Sequence, residues 1–180
     1  QDFSIDTCTD FSLLNLMGYL LLAEKDYASC TRIFEKYILL AQQNEDKEHE
    51  HIGLHQLAMI YRDQGDFHKA LKLIEDEEKI VEEYFPNDNL KKAVNNYEQG
   101  YVRFKLNLDE ALTFMNLSLE QSLETDDVIS QACSYRGLGE IYLALEDTEL
   151  SNRHFKRAIE LFESVEEFEG VKEIEELINE

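Results

Sequence analysis

Proline is almost missing from this chain: Pro86 is the only one in 180 residues, and seven glycines are spread thinly along the rest. Both residue types interrupt helices. Their scarcity in a sequence rich in Leu, Glu, Lys and Ala leaves little to stop a helix and little to build the turns of a sheet, so helix is expected throughout. Cysteine is scarce too. Cys8, Cys30 and Cys133 are odd in number, far apart, and lack the paired spacing of a zinc site or a thiol redox motif. That pattern excludes a disulfide framework and suits a reducing compartment, with the cytoplasm as the expected location.

Positive charge is the next shortage. Seventeen Lys and Arg face 39 Asp and Glu, a formal net charge of −22 and a pI near 4.5. Nucleic acid and anionic lipid are held by clustered cations that displace counterions, so neither is an expected partner of this segment. The acid is read first as a solvated, self-repelling surface, and second as a means of steering a basic partner. Long apolar runs are also lacking: the stretch from Leu13 to Ala23 contains Asn15, is too short to span a bilayer, and follows no basic leader. The chain opens on Gln1 rather than Met, so an excised segment or a processed chain is expected, which leaves open whether a further domain precedes it in the parent. What is present, 43% hydrophobic and 31% charged residues, is ordinary for a folded protein with a substantial interior.

That hydrophobic content is periodic. Leu54, Leu57, Ala58 and Tyr61 fall at i, i+3, i+4 and i+7, one stripe of a helix; Gly65-Asp66 breaks it, and Phe67, Ala70, Leu71 and Ile74 rebuild a stripe after the break. The second helix must fold back on the first to bury both, and small Ala58 and Ala70 let the two backbones approach. Leu14, Met17, Gly18 and Leu21, a turn at Lys25-Asp26-Tyr27, then Cys30, Phe34 and Tyr37 repeat the arrangement, with Cys30 as a packing thiol in the small-residue slot. Tyr135, Leu138, Gly139 and Tyr142, then Asp147, Ser151, Phe155 and Ala158, repeat it again. Gly18, Ala58, Gly100 and Gly139 stand in one slot at spacings of 40, 42 and 39 residues. A period of this size marks a solenoid of helix pairs.

The third unit departs from the pattern. Gly100, Asn107, Leu108 and Ala111 align only if the connection is one residue shorter, and Asn96, Gln99 and Arg103 then take slots that should be apolar. Val94, Tyr97, Tyr101 and Phe104 make a stripe on the neighbouring face, so this helix is either rotated or offers aromatic rings to a groove. Gly170, Val171, Ile174, Leu177 and Ile178 suit a final helix that covers the open end of the stack.

Leu57, Ala58, Tyr61, Gly65, Asp66, Phe67 and Ala70 carry a resemblance to tetratricopeptide repeats, with units longer than that family's shortest, which run to about 34 residues. The resemblance implies an all-α, right-handed α-α superhelix: four helix pairs over about 10–45, 47–86, 88–124 and 126–166 and a terminal helix over 167–180, all in a single domain, 1–180. It also implies a groove lined by the first helix of each pair. Carried onto this chain, the groove positions are Asn15, Tyr19, His55, Met59, Arg62, Tyr97, Tyr101, Lys105, Arg136 and Glu140. Arg62, Lys105 and Arg136 are cations in an acidic chain, and with interleaved tyrosines they suit a peptide that carries carboxylates. The Lys and Asn set with which chaperone-binding members of the family grip a C-terminal carboxylate is not met, because Tyr19, Gln56, Val94 and Glu98 occupy four of its five positions.

Catalytic chemistry has no foothold. His51 and His55 are spaced i, i+4, but Ile52 stands where a zinc-protease helix needs Glu, and no glycine-rich phosphate loop or nucleophile elbow occurs, so no catalytic residue, metal or cofactor is expected. The expected function is a non-catalytic module that binds a protein or peptide as an adaptor or scaffold. The alternative is a sensory input domain, since long units of this kind resemble those of bacterial peptide-sensing regulators; Asn15, Asn95 and Asn96 are the asparagines that would serve it.

Overall fold

The computed structural model describes residues 5–179, so the reading of Gln1 and the last position of the expected terminal helix lie outside the described residues. Among the described residues there are nine α-helices, a short 3-10 turn at Ile5–Thr7, and no strand. They form two compact units, split between Tyr84 and Phe85. The first holds α1 (Phe11–Ala23), α2 (Tyr27–Gln43), α3 (Lys47–Asp63) and α4 (Phe67–Tyr84). The second holds α5 (Asn89–Lys105), α6 (Ala111–Leu123), α7 (Val128–Ala144), α8 (Thr148–Ser164) and α9 (Phe168–Asn179).

One connection recurs between helices. The chain leaves a helix through a residue in the left-handed region, Lys25, Glu45, Gly65, Asn107, Glu146 or Glu166. The next amide then reaches back to the outgoing helix, as in Asp26 N to Leu21 O, Asp66 N to Tyr61 O and Asp147 N to Tyr142 O, at 2.9 to 3.0 Å. This is the Schellman arrangement, which satisfies carbonyls that a helix end would orphan. The residue that follows is usually Asp, whose carboxylate caps the incoming helix: Asp26 accepts from Ser29 N, Asp46 from His49 N, Asp66 from Lys69 N and Asp147 from Leu150 N. Each such cap contributes about 1 kcal/mol.

Packing follows the small-residue slot. Phe34 lies over Gly18, and Phe155 over Gly139, so close that a Cβ on either glycine would sit 2.5 Å from the ring. Cys30 Sγ donates to Gly18 O at 3.3 Å and Ser151 Oγ to Gly139 O at 2.9 Å, tying the two helices of each pair at their closest approach. Cys30 is therefore the expected packing thiol; burial first, then the Asp26 charge, push its pKa up to about 11. Leu14, Ile33, Phe34, Tyr37, Leu57 and Ile60 build the first unit's core. In the second unit, Met115, Leu138 and Ile141 form one cluster and Phe155, Phe162 and Ile174 another. Each of these side chains is worth about 1.5–3 kcal/mol when taken fully out of water.

The third pair resolves the two readings of its first helix. Gly100 keeps its slot against the backbone of Ala111 and Met115, so α5 is not rotated. Its partner side is one residue early: Met115 stands 15 residues after Gly100, where Phe34 and Phe155 stand 16 after their glycines. The buried polar residues of α5 satisfy one another instead. Gln99 Nε2 donates to Asn95 Oδ1 at 3.5 Å, and Arg103 donates to Gln99 Oε1 at 2.5 Å while its guanidinium covers the Phe114 ring. Tyr97, Tyr101 and Phe104 are half-buried against the Met115 cluster.

Candidate functional site

Within the second unit, α7 contacts both α5 and α9, so these three first helices make one layer, with α6 and α8 behind it. Tyr97, Tyr101 and Lys105 recur every four residues along α5, and Arg136 and Glu140 do the same on α7. The structure joins all five. Arg136 donates to the Tyr97 hydroxyl at 2.8 Å and forms an ion pair with Glu173 of α9. The Tyr97 and Tyr101 rings stack at 6.2 Å and 19°. Lys105 Nζ lies 5.0 Å from the Tyr101 ring centre and 2.6 Å from Glu140 Oε1.

The network is electrostatically closed. Burial is the strongest influence and works against the Arg136 guanidinium, but Tyr97, Cys133 and Glu140 together outweigh it and leave its pKa raised. Burial likewise opposes the Lys105 ammonium, yet Glu140 and Tyr101 hold its pKa above the ordinary value. Tyr97 is pushed up by burial against the opposing Arg136 charge, so its phenol stays protonated and can donate as well as accept. Beside this network is a recess of about 170 Å³ between α5, α6 and α7, with Val94, Tyr97, Glu98 and Cys133 in its wall and exposed Ile129 at its edge. The Cys133 thiol is raised by burial, which makes it a poor nucleophile.

In the first unit the expected positions are less connected. Exposed Tyr19 on α1 accepts from Gln56 Nε2 on α3 at 3.1 Å. Arg62 folds onto its neighbour Asp63, with Nε and Nη2 at 3.3 and 3.2 Å from Oδ1. Met59 is half-buried, and Asn15 has a buried Oδ1 with no hydrogen-bond partner. His55 turns toward α4, where its Nδ1 is 3.4 Å from Glu77 Oε2, and His51 Nδ1 is 3.5 Å from the other carboxylate oxygen. Glu77 is fully buried; burial favours its neutral form, but the two imidazoles outweigh that and hold its pKa down to about 2.

The helix pairs, the left-handed turn and the small-residue slot are the features of one repeat family. Two family models described as tetratricopeptide repeat match this chain, over residues 97–164 and 53–76. The chain is a tetratricopeptide repeat protein. No curated protein matches it. Among solved structures it is similar to BtubC (BKLC) from P. vanneervenii, with a TM-score of 0.74 at 18% identity over 92% of this chain and 72% of that one. A second match is the MamA RS-1 ArsTM double mutant, with a TM-score of 0.35 at 16% identity over 86% of this chain and 95% of that one. The first likeness concerns the fold.

A tetratricopeptide repeat is an interaction fold, so protein binding is the coarse function. Glu173 is the site neighbour that sequence reasoning left out. Its signal was in the spacing: Arg136 follows Tyr97 by 39 residues, and Glu173 follows Arg136 by 37, one further repeat. No helix among the described residues is long and apolar enough to cross a membrane.

Proposed function

We propose that this protein is a non-catalytic adaptor whose first-helix face binds a carboxylate-bearing peptide segment of another protein. The observation that supports this reading is the joined set Tyr97, Tyr101, Lys105, Arg136 and Glu140 on α5 and α7. Both cations are already fixed in place by internal acids, so a ligand meets pre-positioned donors and loses little to ordering them. A ligand carboxylate would replace Glu173 on Arg136, or Glu140 on Lys105, exchanging one charge-assisted pair for another. An apolar side chain of the same peptide fits the recess beside Tyr97 and Cys133, supplying the area burial that ion-pair exchange does not.

Asn15, Tyr19, His55, Met59 and Arg62 are assigned in this proposal to a supporting surface of the first unit. The single domain over 1–180 and a cytoplasmic setting belong to it as well. A sensory input role for the same face is the second reading, and Asn15, with its unpaired Oδ1, is the observation that favours it.

The test is a peptide-array screen followed by amide chemical-shift mapping of the strongest hit on the labelled protein. Shifts centred on Tyr97, Tyr101, Lys105 and Arg136 are expected. Hits whose shifts leave α5 and α7 unmoved would overturn the assignment.

A further inference from the structure

Three of the chain's 17 Lys and Arg residues stand within five positions of α8: Arg153, Lys156 and Arg157. They are exposed, and they border a cleft of about 570 Å³ formed where α8 meets α6 and the flank of α7. Leu119 of α6 and Tyr135 of α7 give this cleft an apolar wall. His154 belongs to the same wall, its ring stacked on Tyr142 at 5.4 Å and 4°; burial, then the Arg153 charge, lower its pKa, so it adds a polar edge without adding positive charge. The cleft lies apart from the Tyr97–Arg136–Glu173 network, and none of its lining residues belongs to that site.

The pairing state of the cations is uneven. Most of the other lysines are engaged by an acid, as Lys72 and Lys79 are by Asp76, at 3.1 and 2.7 Å. Arg157 takes Glu160 at 3.0 Å, which shows how a carboxylate sits at this rim. Among the described residues neither Arg153 nor Lys156 has a carboxylate partner, although the chain holds 39 Asp and Glu. In a protein of net charge −22, two adjacent unpaired cations above an apolar wall form a local exception to the field of the whole molecule.

We propose that this cleft is a second docking site, and that it takes an acidic peptide segment of a partner protein in which two carboxylates flank an apolar residue. Arg153, Lys156 and Arg157 lie at i, i+3 and i+4, one rim of α8, so carboxylates about one helical turn apart meet successive cations. The apolar residue between them packs on Tyr135 and Leu119, as a docking segment with a central anchor does. Nucleic acid fits poorly, because a few cations release few counterions while the remaining surface repels a long polyanion. A small anion leaves the apolar wall unused.

The experiment uses a short fluorescein-labelled peptide with Glu one helical turn apart and Leu between them, titrated by fluorescence anisotropy against the full chain. Binding that weakens with added salt is expected. Arg153→Ser with Lys156→Ser should bind about tenfold more weakly, the loss expected from two charge-assisted contacts. Both residues are exposed, so the fold should be unaffected and circular dichroism will verify that. Lys72→Ser with Lys79→Ser removes the same charge from α4 and should leave binding unchanged; an equal loss would overturn the site. No binding by the parent protein, unaltered binding by the α8 variant, or full displacement of the peptide by pyrophosphate in favour of a small-anion site would each refute the proposal. Because none of these variants touches α5 or α7, the outcome is independent of the first-helix face.

Discussion

The amide nitrogen of Met115 lies 2.9 Å from the place a Cβ on Gly100 would occupy, and the Ala111 carbonyl oxygen lies 3.1 Å from it. Two helices cross here backbone on backbone. At Gly139 the same slot faces the Phe155 ring, which side-chain torsions can move; at Gly100 the obstacle is main chain, which can yield only by parting α5 from α6. Gly100→Ala should therefore cost about 1–3 kcal/mol, in the range of overpacking in well-packed sites, and more than Gly65→Ala. Gly65 has open space around it and only its φ of +78° to protect. Urea denaturation of the two variants decides this: a Gly100→Ala midpoint equal to the parent's would mean the crossing is looser than it stands here.

Ala58 on α3 is fully buried, as are Ala70 and Ile74 on α4, the helix that packs against it. Ala58→Leu should destabilise the protein by about 1–3 kcal/mol, because the extra carbons force a close helix pair apart. A melting temperature equal to the parent's would show that this slot tolerates a branched side chain and that the repeat's small-residue rule is not steric.

The Glu77 carboxylate gives the fold an acid limit. Its pKa is held near 2 against an ordinary 4.5 because His51 and His55 outweigh burial. A carboxyl depressed in the folded state stabilises it above the unfolded value and ceases to do so as the pH falls through the folded value. The contribution should thus be present above about pH 4.5 and vanish toward about pH 2. Glu77→Gln should be less stable at neutral pH and should lose this step, seen as a smaller fall in denaturation midpoint between those pH values. Parallel pH profiles for variant and parent would exclude the His51–Glu77–His55 set as the cause.

Much of this architecture was legible in the residues. Gly18, Ala58, Gly100 and Gly139 announce the slot because only a small side chain admits a crossing helix, and the one-residue offset of the third unit could be read from where Ala111 falls. The left-handed conformation was visible at Gly65 but not at Lys25, Glu45 or Glu166, whose residue types also sit in helices; the turn at Lys25-Asp26-Tyr27 was read instead from the break in the apolar stripe. The burial of Asn95, Glu98 and Gln99 was hidden for a related reason: polar residues are read as surface until a partner such as Arg103 is known. For the candidate site, periodicity put Tyr97, Tyr101, Lys105, Arg136 and Glu140 on first helices. It could not show that Arg136 and Lys105 are already engaged by Glu173 and Glu140, because those pairs depend on the distance between helices 35 and 37 residues apart in the chain.

That engagement supplies the sharpest test of the first-helix face. If Arg136 exists to hold α9 through Glu173, removing the acid removes the purpose, and Glu173→Gln should lower stability and leave any ligand indifferent. If Arg136 is a recognition group, Glu173 is instead the ligand's competitor, and Glu173→Gln should strengthen binding of a carboxylate peptide. Glu173 is half-exposed, and such pairs are worth about 0–1 kcal/mol, so the gain should reach at most about fivefold. Arg136→Ala should abolish the same binding, and it should also strip the Tyr97 hydroxyl of its donor. Paired with Arg62→Ala, it tests whether the first unit shares the ligand: a further loss beyond the single variant is expected if it does. Isothermal titration with a screened peptide reads all three variants. Binding that weakens in Glu173→Gln, or survives Arg136→Ala at both low and physiological salt, would refute recognition through this arginine.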